Sequence, residues 1–216
     1  MTEALMEATA GRREAPVRVF VYFDYICPYS YLVRHLIEAI ASERPLEVVW
    51  RPLETRPELP ADGVPNVGDG PHEIAPEEWE RMGEQGLAAG VPLYRPARIP
   101  RTRLALQASE FARDIGSEAF RRLHEALFRA YFVHDVDIGA RQKILEIAAT
   151  EGLPREALEA ALEDGRYAEE LAAAEREAER YEIRQTPTLF FGRYKVIGAA
   201  PIDVLSETAR RASATL

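Results

Sequence analysis

Val17-Arg-Val-Phe-Val-Tyr-Phe-Asp-Tyr-Ile-Cys27-Pro28-Tyr29-Ser30-Tyr-Leu-Val-Arg-His-Leu-Ile-Glu-Ala-Ile40 changes its periodicity at one point. Residues 17–23 are an apolar, β-branched and aromatic run, which predicts a buried strand. From Pro28 onward, Leu32, Leu36, Ile37 and Ile40 recur at helical spacing. Proline suits the first turn of a helix, where a missing N–H removes no hydrogen bond. Cys27 therefore falls at a strand-to-helix junction. Unpaired backbone N–H groups at a helix start favour an anion, so the expectation is a lowered thiol pKa. Cys27 is also the single cysteine of the chain.

Working outward, Leu46-Glu-Val-Val-Trp-Arg-Pro-Leu53 predicts a second strand and completes a β-α-β unit. Residues 52–100 hold nine prolines, which denies regular structure to most of that segment. Residues 77–89, after Pro76, can form a short helix. Residues 101–183 read as almost wholly helical, rich in Ala, Glu, Leu and Arg. Thr102 caps a helix running to about Ile115, and Ser117–Phe132 follows. Ile138–Glu151, with Asp137 as its cap, Pro154–Leu162 and Tyr167–Tyr181 complete the block. Strand character returns in residues 186–191 and 194–197, joined by a turn at Gly192-Arg193, and Ile202–Ala212 closes as an amphipathic helix. The order β-α-β, helical block, β-β-α predicts an α/β fold: a mixed sheet with an all-helical subdomain inserted between strands. The expected division is a flexible leader (1–16), a sheet domain (17–55 and 181–216) and an inserted helical subdomain (56–180).

The 216 residues carry 36 acidic and 27 basic side chains, a net charge of −9. That balance argues against nucleic acid or an anionic membrane surface as partner. The apolar runs are too short to span a bilayer, and the first residues show no secretory pattern. One cysteine excludes an internal disulfide and fits a reducing compartment, so the expected location is the cytoplasm.

Two signals compete with bland alternatives. A lone cysteine is most often a buried small hydrophobe, but the carboxyl end of a strand feeding a helix is where α/β sheets bind ligands. Gln185-Thr186-Pro187-Thr188 opens a late strand, where proline is either a strand start or part of a cis peptide. Arg95, Arg98, Arg101 and Arg103 read either as a solvated loop and helix start or as an anion site. His134-Asp135-Val136-Asp137 lacks a second cluster of ligands, so no metal is expected. His35 lies two turns into the first helix, too far to act as a base beside Cys27. Of Tyr22, Tyr25, Tyr29 and Tyr31, Tyr29 is the one expected beside the sulfur.

Cys-Pro-x-x opening the first helix, paired with Thr-Pro opening the third strand, resembles the thioredoxin-fold superfamily in its DsbA-like branch with a helical insert. Within that branch the chain is similar to the FrnE-type proteins, the 2-hydroxychromene-2-carboxylate isomerases and the kappa-class glutathione transferases. The carrying residues are Phe23–Tyr31, Arg101–Ala108, Leu123–Phe132 and Thr186–Gly192. The resemblance implies a thioredoxin-like fold and thiol-disulfide chemistry at Cys27, with Ser30 as a hydrogen-bond donor to its thiolate. It implies that Pro28, Tyr29, Thr186, Pro187 and Arg101 bind substrate. No tightly bound cofactor is implied; glutathione or another low-molecular-weight thiol is the expected cosubstrate. The expected partner is a disulfide-containing protein or small thiol substrate, and the protein is a monomer or homodimer. The departure is Ser30, which stands where the oxidoreductases carry a second cysteine. A hydroxyl cannot close a disulfide, so Cys27 needs an external thiol. A glutathione-dependent isomerase or transferase and a non-enzymatic redox-sensing or chaperone-like module are the alternatives.

Overall fold

The computed structural model describes residues 15–67 and 74–214, so the expected leader lies almost wholly outside the described residues. A four-stranded sheet has the order β2-β1-β5-β6. β1 (Val17–Phe23) is parallel to β2 (Leu46–Pro52), with Val17 opposite Leu46 and Phe23 opposite Pro52. It is antiparallel to β5 (Thr188–Phe191), with Val21 opposite Leu189. β6 (Tyr194–Ile197) is the antiparallel partner of β5, across a turn in which Gly192 takes φ +56°.

Alternation along β1 decides its two faces. Val17, Val19 and Val21 point to one side, with Leu189 and Phe191 of β5. There they pack on Val33, Ile37 and Ile40 of α1 (Pro28–Glu43) and on Leu205 and Ala209 of α8 (Ile202–Ser213). Tyr22 points the other way, onto Ala178 of α7 (Ala168–Arg180) and Ile183. Fully burying each such aliphatic side chain contributes about 1.5–3 kcal/mol. The remaining helices are α2 (Pro76–Ala88), α3 (Arg103–Ile115), α4 (Ser117–Phe132), α5 (Arg141–Thr150) and α6 (Arg155–Glu163). Their core holds Leu106, Leu123, Leu127 and Phe128, and it also takes in Phe23, Tyr25, Tyr31 and Leu32 from around the β1–α1 junction. The helical block and the sheet thus share one apolar cluster around the junction that presents Cys27.

Three local expectations are corrected. Thr102 occupies the N-cap position of α3 but makes no side-chain capping bond, because its side chain is buried. The third helix of the block starts at Arg141 rather than Ile138: Asp137 Oδ1 accepts from the Gly139 N–H at 2.9 Å and holds a turn instead of a cap. Within the proline-rich segment, β3 (Val64–Pro65) and β4 (Arg98–Ile99) pair antiparallel. Two-residue strands, one containing Pro65 and the other followed by Pro100, carry no periodicity to read.

Candidate active site

Cys27 is the N-cap residue of α1, with Pro28 in the first turn. Its N–H donates to the Asp24 carbonyl at 3.1 Å, and its own carbonyl accepts from Ser30 and Tyr31 at 3.0 and 3.3 Å. These bonds fix the sulfur at the carboxyl end of β1. The thiol faces the other half of the site across 159 residues of chain, with Sγ 3.1 Å from the Thr186 carbonyl oxygen. The Thr186–Pro187 peptide bond is cis. The Pro187 carbonyl accepts from Gly198 N–H at 2.8 Å, and Thr188 Oγ1 donates to the Gln185 carbonyl at 2.8 Å, which anchors this loop at the start of β5.

The sulfur is half-buried at the wall of a cavity of about 540 Å³. Ile26, Pro28, Tyr29, Ile74, Trp79, Ile99 and Tyr131 give it an apolar, aromatic wall. Thr55, Arg56, Asn66, Arg184, Gln185 and Thr186 supply polar groups. Among the described residues, the cations in that wall are Arg56 and Arg184, and no Asp or Glu lines it. Tyr29 reaches over to α2, where its hydroxyl donates to Glu78. Burial, together with Glu78, pushes that phenol up to about 12.

Burial pushes the Cys27 thiol above its ordinary pKa, and the nearby Asp24 charge adds to the rise. Hydrogen bonds that the Ser30 and Thr186 side chains and the Ser30 N–H can make to the thiolate oppose it. The lowered thiol pKa expected from the helix start is therefore corrected: desolvation of a sulfur walled by aromatic rings outweighs the amide dipoles. Ser30 is fully buried, and its Oγ makes no hydrogen bond among the described residues while Cys27 is a thiol. Its proton is free to turn toward a thiolate.

Two buried acids sit behind the cavity. Asp24 accepts from the Thr55 N–H at 2.7 Å and the Thr55 hydroxyl at 2.6 Å. Desolvation raises its pKa against those bonds. Glu54, whose side chain is fully buried, pairs with Arg101 and Arg103, each at 3.3 Å.

Cys27, Pro28, Tyr29 and Thr186 thus meet in one cavity, with Ser30 and Pro187 directly behind them. Arg101 is not brought there: it is held by Glu54 and is absent from the cavity wall. Arg95 is occupied by Asn66, Arg98 by the Asp62 carbonyl, and Arg103 by Glu54 and Glu175. Asp135 accepts from the Ala97 N–H at 2.8 Å, so the acids of the 134–137 segment serve loop geometry. Asp24, Arg56, Trp79 and Arg184 were not anticipated from sequence. An aspartate inside the apolar run Phe23-Asp24-Tyr25 was a readable signal; the arginines gave none.

A half-exposed cysteine at a helix N-cap, facing an X-Pro loop at the start of an antiparallel strand, defines a thioredoxin-like protein with a helical insert. The chain belongs to the DSBA-like thioredoxin domain family, whose model matches residues 18–209. It is 28% identical over 200 residues to the uncharacterised protein YwbO of Bacillus subtilis, covering 88% of this chain and 94% of that one. Among solved structures it is similar to a probable DsbA oxidoreductase from Streptomyces coelicolor, with 25% identity, a TM-score of 0.82, and 91% and 89% of the two chains covered. It also shares its fold with a 2-hydroxychromene-2-carboxylate isomerase, at 18% identity and a TM-score of 0.71, covering 90% and 95%.

Proposed function

We propose that this protein is a thiol-disulfide oxidoreductase that works through Cys27 alone. The observation that carries the reading is the half-buried Cys27 sulfur at the α1 N-cap, open to a cavity and 3.1 Å from the Thr186 carbonyl. On a glutathione mixed disulfide, the Cys27 thiolate attacks the glutathione sulfur. A new S–S bond forms, the old one breaks, and the substrate sulfur leaves as a thiolate that takes up a proton. A glutathione thiolate, or another low-molecular-weight thiol, then attacks the Cys27-bound sulfur. Oxidised glutathione leaves and Cys27 is restored, so the two electrons that reduce the substrate come from the external thiol.

Ser30 donates to the Cys27 thiolate in both steps. The Thr186 backbone lies where an extended peptide can pair beside the sulfur, with Pro28, Tyr29 and Pro187 shaping the approach. Arg184, rather than Arg101, is the cation placed to meet a glutathione carboxylate; Arg56 lines the same cavity but is paired with Glu58. A raised thiol pKa favours the first transfer, in which the substrate sulfur leaves, and slows the second, in which Cys27 is the leaving group, so the Ser30 hydrogen bond to the Cys27 thiolate matters most there. A raised pKa does not suit a strong oxidase, which stabilises its thiolate. Dependence on an external thiol supports a cytoplasmic location.

Mass spectrometry after incubation with oxidised glutathione tests the reading. The expected product is one glutathione adduct on Cys27, released by reduced glutathione and absent in Cys27→Ala. No adduct, with exchange activity unchanged in Cys27→Ala, would leave a binding module instead. A second reading, glutathione-dependent isomerisation of a small aromatic substrate, is favoured by the aromatic wall of Tyr29, Trp79 and Tyr131. Calorimetry that detects no glutathione binding removes it.

A further inference from the structure

A groove of about 340 Å³ lies between α2 and the chain from Pro92 to Arg95. That chain is pinned on both sides. Val91 N–H donates to the Gly86 carbonyl at 2.7 Å, and a Cβ on Gly86 would collide with the Val91 carbonyl, so glycine lets the chain lie against α2. Tyr94 N–H donates to the Phe132 carbonyl of α4 at 2.9 Å. Leu93 is buried, but Leu87 of α2 and Tyr94 line the groove and remain 75% and 63% exposed. Leu87 is the most exposed large apolar side chain among the described residues. Arg95 also lines the groove, with its guanidinium turned to Asn66, where it donates to the carbonyl at 2.8 Å and to Oδ1 at 3.2 Å.

The groove adjoins the Cys27 cavity at two points. Trp79 lines both, and Asn66, on the cavity wall, is the residue that holds Arg95. A polypeptide lying beside the sulfur therefore reaches the groove by crossing one indole. Two to four residues of extended chain, about 7–13 Å, cover such a span, with alternate side chains on one side. The groove is also charged on its α2 side. Glu80 lines it, and Glu77 and Glu84 share the same stripe of the helix, three and four residues away. All three are exposed, and among the described residues none of them forms an ion pair; Arg81, the one cation of α2, turns to Glu78 at 3.9 Å.

We infer that this groove receives a bulky apolar side chain of a cysteine-containing polypeptide, with a lysine or arginine beside it facing the stripe of Glu77, Glu80 and Glu84. The inference rests on the thiol-disulfide reading of Cys27 and names its substrate class, a polypeptide thiol held as a mixed disulfide. Leu87 and Tyr94 offer apolar area still open to water, which an incoming side chain covers. Glutathione has neither an apolar side chain nor a basic one to place there, so the groove separates polypeptide from small-molecule substrates.

The test measures the rate of glutathione transfer to Cys27 of the full chain by mass spectrometry. The donors are short synthetic peptides with one cysteine held as a glutathione mixed disulfide and a Phe-Lys pair about three residues before or after it. Ala-Lys and Phe-Glu peptides are the controls, and oxidised glutathione is the small donor. The better Phe-Lys peptide is expected to react about tenfold faster than its Ala-Lys counterpart and about threefold faster than its Phe-Glu counterpart. Leu87→Ser combined with Tyr94→Ser, at two exposed positions, abolishes the phenylalanine advantage and leaves the rate with oxidised glutathione unchanged. Glu77→Gln, Glu80→Gln and Glu84→Gln together erase the preference for lysine. A rate indifferent to phenylalanine, an advantage that survives the Leu87 and Tyr94 variant, or equal rates for Phe-Lys and Phe-Glu each overturns the inference and leaves the thiol-disulfide reading standing. Failure of oxidised glutathione to modify Cys27 removes that reading, and this inference with it.

Discussion

Cys27 sits between opposed influences, and its neighbours can be varied one at a time. Ser30 lowers the thiol pKa. Ser30→Ala therefore leaves less thiolate at neutral pH, and the rate of alkylation by iodoacetamide at pH 7 falls roughly threefold, with the whole profile moved to higher pH. Asp24 acts with the opposite sign, because its charge raises the thiol. Asp24→Asn speeds alkylation roughly two- to fivefold over the pH range in which Asp24 is ionised. A slower Asp24→Asn variant would mean that the carboxyl acts on the sulfur through something other than its charge. At this scale the candidate nucleophile and its proline neighbour were legible, because a change of periodicity from 2 to 3.6 falls on them. The sign of the thiol shift was not. It depends on Tyr29, Trp79 and Tyr131 closing around the sulfur from three separate segments.

At the scale of elements, long amphipathic helices announced themselves and short pairings did not. α4 was readable because Phe120, Leu123, Leu127 and Phe128 form one stripe. The β3–β4 pair is defined by Val64 opposite Ile99 and Pro65 opposite Arg98, with Gly63 at φ +64° beside it. A Cβ on Gly63 would collide with the Ile99 carbonyl. Gly63→Ala therefore opens this pair and destabilises the protein by about 1–3 kcal/mol. Ile99 and Asn66 line the Cys27 cavity, so the same variant loosens that wall, and hydrogen exchange at Asn66 N–H, which donates to the Ala97 carbonyl at 2.9 Å, reads the change.

For the molecule as a whole, the shared core ties the helical block to the sheet. Leu123 is fully buried in the cluster that also contains Phe23 and Tyr25. Leu123→Ala is expected to destabilise the fold by about 3 kcal/mol and to do so in a single denaturant transition seen equally by probes on both parts. Acid lability follows from two histidines. Burial holds His124 well below 6.5 and brings His35 down to about 4. Each binds its proton more weakly folded than unfolded, so stability present above about pH 6.5 is lost as pH falls toward the folded values, by at most about 1.4 kcal/mol per pH unit per histidine. Asp24 and Glu125, whose pKa values are raised, pull the other way in the acid range. The clean reading is a difference: the fall in melting temperature between pH 7 and pH 5 should be smaller in His35→Asn than in the parent.

Sequence alone settled the order of elements and the candidate nucleophile, since strand and helix periods, Cys-Pro and Thr-Pro are local properties of the chain. Tertiary structure decided what the thiol meets. It placed the Thr186 carbonyl against Sγ, took Arg101 away to Glu54 and put Arg56 and Arg184 on the cavity wall. It also desolvated the half-buried sulfur enough to reverse the expected direction of its pKa. The physical reason is range: periodicity and helix-end dipoles act within a few residues, whereas desolvation and charge pairing are set by side chains that only folding brings together.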